Sequence, residues 1–247
     1  ASSAASDVYK RQSSRCMVEK WNVNCTDYPQ VCGAALALQR EYEFMAAACM
    51  DEFMLKTDRK VTKMMLKGYE KDKAANAHKP RYRCLVWACP AHYYTNFTYW
   101  TQHCWGVTCV NDMEAMLSYL PISTGSKERA LEDLVRCYEK MMMRSHTNGG
   151  YANLLDECWR MCEMFNVNIV IMYDHVSCKN VGGLHGLFED QARERGIHLI
   201  WIPHDVMDPR TVSRREMREA FNQYMITVLQ EAPLDPTLLD YEDALSW

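Results

Sequence analysis

A basic excess, a membrane-length apolar run, a Cys-x-x-Cys pair and a phosphate-binding glycine loop are all missing from this 247-residue chain. Each absence excludes something. A formal net charge of −4 carries no electrostatic footprint for nucleic acid. The longest apolar runs, near Ile169 and Leu199, fall far short of the ~20 residues that span a bilayer. Without Cys-x-x-Cys spacing, zinc-ribbon and thioredoxin readings lose their main support. Without a P-loop the chain is not an ATP-hydrolysing component, and no nucleophile elbow marks a serine hydrolase. No internal repeat or low-complexity segment occurs. No secretory signal is visible, so the expected compartment is the cytoplasm. There the 12 cysteines and 17 methionines read as a soft, reduced interior rather than a disulfide framework.

The first twelve residues are set aside. Ser2–Gln12 resembles the translation of a sequencing-library adapter and has no hydrophobic periodicity. On that reading the frame enters a gene partway, and the natural protein is longer at its N-terminus.

Residues 13–30 are polar and aromatic and read as irregular. Residues 31–55 and 56–73 follow helical spacing, and Asn76–Pro80 ends that region. Residues 13–78 therefore form a helical segment leading into residues 79–232, where the pattern changes. Cys84–Cys89, Trp105–Val110, Asn168–Tyr173 and Ile197–Pro203 are short apolar runs that suit buried strands. Between them lie helices over 96–103, from Ser126 (apolar face Leu131, Leu134, Val135, Tyr138, Met141, Met142), around Leu154–Phe165, and over 184–195 with Gly196 as C-cap. Ser213-Arg-Arg-Glu216 is a capping box opening a last amphipathic helix. The tail from Pro233 is acidic and reads as peripheral. Strand–helix–strand alternation predicts an α/β fold: a parallel four-stranded sheet flanked by helices, flavodoxin- or Rossmann-like, preceded by the helical segment.

Open α/β sheets bind ligands at the carboxyl ends of their strands. Cys178 stands at such an end, after Asn168–Tyr173 and before Gly182-Gly183. A thiolate there can hold a metal or an iron–sulfur cluster, or attack a substrate. The glycines allow close backbone approach, though glycine also simply makes turns. Cys158 and Cys162 share a helix face, but they lie in its apolar stripe and read as core. His185 and His198 have no metal-ligand spacing.

Residues 168–230 carry a resemblance. Asp174-His-Val-Ser-Cys-Lys179, Glu194-Arg-Gly-Ile-His-Leu-Ile-Trp201, Asp205, Asp208-Pro-Arg210 and Ser213 resemble, in order and setting, the C-terminal domain of 2-hydroxyacyl-CoA dehydratase and benzoyl-CoA reductase D-component subunits. The resemblance implies a subunit of an iron–sulfur hydro-lyase that removes water from 2-hydroxyacyl-CoA through a ketyl radical, giving enoyl-CoA. It implies Cys178 as metal ligand of a [4Fe-4S] cluster, with Gly182 and Gly183 beside it and His175 as the catalytic residue. The further cysteine ligands of the family would lie upstream of this chain. Cys84, Cys104 and Cys109 have surroundings that do not match them. The implied partners are a paralogous subunit, an ATP-dependent iron–sulfur activator and an acyl-CoA substrate, with no nucleic acid and no membrane. A benzoyl-CoA reductase subunit, and a non-catalytic α/β partner or binding subunit without a cluster, remain the alternatives.

Overall fold

The computed structural model describes residues 3–30, 52–94, 96–113, 122–123, 125–139 and 150–240. The chain divides into two compact units: residues 1–79 with 114–157, and residues 80–113 with 158–247.

In the first unit, α1 (Ser3–Asn24) packs on α2 (Glu52–Ala74). Helix α1 corrects the irregular reading of 13–30, because its contact face mixes residue types. Met17, Trp21, Lys20 and Asn24 recur at three-to-four spacing and are all buried. A lysine among them disguises the stripe. The Lys20 ammonium is nonetheless ion-paired with Asp58 of α2, which makes its burial tolerable. Residues 31–51, expected to be helical, lie outside the described residues. Helix α4 (Lys127–Glu139) forms as expected. Its expected apolar face does not hold throughout, since Leu131 and Val135 are exposed. Met141 and Met142 lie outside the described residues, as does the side chain of Tyr138. Helix α5 (Gly150–Phe165) follows, opened by Gly150 at φ 76°.

The second unit holds the sheet. Its strands are β1 (Tyr82–Trp87), β2 (Val107–Asp112), β3 (Ile169–His175) and β4 (His198–His204). All pairs are parallel and the order is β2-β1-β3-β4, as the α/β reading predicted. Strands β2, β3 and β4 run one or two residues further toward their carboxyl ends than the apolar runs suggested, because polar Asp112, Asp174, His175 and His204 complete them, whereas β1 ends at Trp87, two residues short of Cys89. Helix α3 (Phe97–Trp105) links β1 to β2. The four-residue α6 (Lys179–Gly182) and α7 (His185–Arg195) link β3 to β4, and α8 (Arg214–Thr227) ends the unit.

Register decides which helix covers which face. Met172 pairs with Trp201 and Tyr173 with Ile202, so Tyr173 and Trp201 point to opposite faces. Phe97 of α3 meets both Tyr173 and Phe221 of α8 edge-to-face on one face. Phe188 of α7 meets Trp159 and Trp201 on the other. Helices on both faces explain why β3 reads as an unbroken apolar run rather than an alternating one. The expected caps also form: Gly196 is left-handed at the end of α7, and Ser213 and Glu216 cap each other's backbone at the start of α8.

Candidate functional site at the carboxyl rim

After β1 the chain turns outward to β2, and it later returns to lay β3 on the opposite side of β1. The carboxyl ends of β1 and β3 therefore flank a topological switch point, where doubly wound sheets leave a crevice. Two loops border it: Ala88–Tyr94 after β1 and Val176–Leu184 after β3.

The β3 loop begins with a tight turn in which Cys178 N–H donates to the His175 carbonyl at 2.9 Å. Val176 N–H reaches across to the His204 carbonyl at 3.0 Å, tying this loop to the end of β4. Cys178 is the N-cap residue of α6, half-buried. Gly182 ends α6, and its absent Cβ would lie 3.7 Å from Asp174 Oδ1, an ordinary contact. Gly183 follows at φ −70°. Their backbones thus lie in ordinary helical space. Below the loop, His185 stacks on Trp201 with ring centroids 3.4 Å apart, and its Nε2 lies 3.4 Å from Asp174 Oδ2. That separation suits an ion pair, although the angle makes no hydrogen bond.

His175 is oriented by its neighbour. Ser177 N–H donates to Nδ1 at 3.1 Å, and Ser177 Oγ lies 2.9 Å from the same nitrogen. A backbone N–H can only donate, so Nδ1 is the acceptor. The proton of the neutral ring then sits on Nε2. Edge-on to His175, at 5.4 Å between centroids and 89°, stands His204. Its side chain is wholly buried and neither ring nitrogen has a hydrogen bond. The backbones of Cys89 and Asp174 approach the ring without closing a well-formed bond. Burial, with His175 adding repulsion, holds its pKa down at about 4. Asn111, at the end of β2, is likewise buried with its amide unmatched. A register shift brings Leu85 opposite Asn111 where Cys84 faces Cys109, and this bulge re-aims the amide onto the other face. Buried polar groups are nearly always hydrogen-bonded, so each exception calls for an explanation. Here two such exceptions stand at strand carboxyl ends.

Among the described residues, no three His, Cys, Asp or Glu side chains converge as a metal cage. Cys178 stands half-buried in the loop after β3, with no other Cys, His, Asp or Glu pair converging on it as a cage among the described residues. Cys84 and Cys109 face each other inside the sheet, and burial pushes the Cys84 thiol well up. Cys104 is held at about 11 by burial and by Asp235. Cys158 and Cys162 are core, as expected. Sequence reasoning did not single out His204, Asn111 or the Cys89–His92 pair, described below. Cys-x-x-His at a strand end was the available signal for that pair.

The sequence profile of the family described as 2-hydroxyglutaryl-CoA dehydratase, D-component, matches residues 21–225. No curated protein matches the chain. No helix among the described residues is long and apolar enough to cross a membrane.

Proposed function

Because the chain belongs to the 2-hydroxyglutaryl-CoA dehydratase D-component family, we propose that it is a subunit of an iron–sulfur 2-hydroxyacyl-CoA dehydratase, with its reacting centre at the β1/β3 crevice. The observation that carries this reading is Cys178. It is a half-buried thiol on a doubly tethered loop, at the switch point of a parallel sheet. A [4Fe-4S] cluster needs thiolates on a fixed scaffold, and this chain offers one at that place. The remaining ligands would come from outside the described residues, and a paralogous subunit and an electron-donating activator would complete the assembly. A cluster held there would supply low-potential electron chemistry for an acyl-CoA substrate, in the cytoplasmic setting that the family implies.

The chain's own residues would do three things. The Val176–His204 and Cys178–His175 bonds fix the height of the sulfur above the sheet. His175, with Nδ1 accepting from the Ser177 N–H, would present its Nε2–H as a donor. That proton suits holding an oxygen on which negative charge develops, as neutral imidazoles do elsewhere. The buried aromatic residues Phe97, Tyr173 and Phe221 on one face of the sheet would help keep water from the site.

The test is anaerobic purification with iron analysis. The protein should bind iron and absorb near 400 nm, and Cys178→Ser should lose most of that iron while His175→Gln keeps it. Unchanged iron in the serine variant would refute the ligand assignment.

A further inference from the structure

The crevice is bordered by a second thiol that the dehydratase reading leaves idle. Cys89 lies two residues past β1, across the switch point from the Cys178 loop. Its Sγ is half-buried and 3.8 Å from Nε2 of exposed His92, a thiol–imidazole hydrogen bond. The Pro90 carbonyl, at 3.9 Å, is a weaker competing acceptor. The residue before it, Ala88, is held at φ 68°, a left-handed conformation that a non-glycine residue adopts only under constraint. The constraint is visible. His92 N–H donates to the Val206 carbonyl at 2.9 Å, Tyr93 O–H to Val212 at 2.6 Å, and Arg214 Nε to Tyr93 at 3.0 Å. A strained strand-end turn therefore lifts the thiol to the rim with a base beside it. Strained turns elsewhere present nucleophiles in this way. Independently, the wholly buried imidazole of His204 lies against the Cys89 backbone with neither ring nitrogen in a well-formed hydrogen bond.

We propose that Cys89 is an activated nucleophile that accepts the acyl group of a thioester bound in this crevice. This rests on the acyl-CoA reading above. His92 takes the thiol proton, and the thiolate attacks the thioester carbonyl. The Cys89 S–C(acyl) bond forms and the acyl–S bond to CoA breaks. His92 returns the proton to the departing CoA thiolate, and nothing is oxidised or reduced. The titratable and charged groups near the pair are His204 at the end of β4, whose ring approaches the Cys89 backbone, and Tyr93 beside His92, which interacts with Asp205 and Arg214.

The experiment uses the full chain. Iodoacetamide labelling with peptide mapping should mark Cys89 at least about tenfold faster than exposed Cys25 near neutral pH. Acetyl-CoA should leave an acetyl mass increment on Cys89 that hydroxylamine removes. His92→Gln, a surface change, should slow alkylation about tenfold near pH 7 and match the parent above the ordinary thiol pKa. Labelling no faster than at Cys25, insensitivity to His92→Gln, or absence of the acetyl adduct overturns the proposal. Cys178→Ser separates it from the dehydratase reading. That variant should lose iron yet still be acetylated, whereas Cys89→Ser should keep iron.

Discussion

At the scale of single residues, the rim trades stability for reactivity. His204 is the clearest case. Its ring is buried, neutral and without hydrogen bonds, and it titrates at about 4 rather than near 6.5. The unfolded chain therefore takes up a proton that the folded chain refuses, throughout the interval between those values. The resulting stability is complete above about pH 6.5 and is lost as pH falls toward 4, by up to roughly 3 kcal/mol. Below that the exposed carboxylates with lowered pKa, Asp205, Asp208 and Glu216, take over the acid sensitivity. His204→Phe keeps a ring against Tyr173 and removes both unmatched nitrogens. We expect equal or higher stability at pH 7 and a flattened loss between pH 6.5 and 4. Urea melts across that range check it, and an unchanged pH slope would place the sensitivity elsewhere.

Elements show where a sequence is readable and where it is not. Strands β1, β3 and β4, helix α8 with its capping box, and Gly196 were legible because apolar runs and cap residues act locally. The place of Cys178, in the loop after β3, was legible because it follows such a run. Helix α1 was not, because its buried face contains Lys20, whose partner Asp58 lies in another helix. Burial outweighs the attraction of Lys20 and raises the pKa of Asp58. The pair therefore permits packing more than it drives it. Removing one member is accordingly worse than removing both. Asp58→Ala should cost about 3–5 kcal/mol by leaving a buried ammonium unpaired, whereas Lys20→Met with Asp58→Leu should be near neutral. A double-mutant cycle on thermal melts measures the difference. The strand ends were misjudged for a related reason. Asp112, His175 and His204 look like loop residues, and only the sheet shows them as its rim. Gly106 carries two demands at once, a left-handed φ of 73° ending α3 and close approach to Leu234 and Arg81. A Cβ there would meet Leu234 Cδ1 at 2.8 Å. Gly106→Ala should cost about 1–3 kcal/mol, more than a left-handed cap alone, while Gly182→Ala, facing only an ordinary contact, should be tolerated. Parallel denaturation curves of the two variants decide it.

The sheet unit as a whole is closed at the amino ends of its strands and left reactive at their carboxyl ends. Opposite the rim, residues 231–238 after α8 are peripheral in exposure yet tied down. Glu231 pairs with Arg81 and accepts from the Tyr82 hydroxyl at 2.6 Å, and Ala232 accepts from Arg81 at 2.7 Å. Leu234 N–H donates to the Cys104 carbonyl at 2.7 Å, and Trp100 Nε1 to the Leu238 carbonyl at 2.8 Å. These bonds bind the entry of β1 and helix α3 to the end of the chain. They do so on the side away from Cys89, Cys178 and His204, so stability and chemistry occupy opposite ends of the same strands. Net contributions near 1 kcal/mol for each bond make the strap worth about 3–5 kcal/mol. Ending the chain after Gln230 should therefore lower the melting temperature by several degrees and quench-shift the Trp100 fluorescence, while the thiol reactivity of Cys178 stays at the parent value in the folded protein. A truncated protein that melts like the parent would show that the strap adds no net stability. One that melts early and also alters Cys178 labelling would show that the two ends of the sheet are mechanically coupled through β1 and β3.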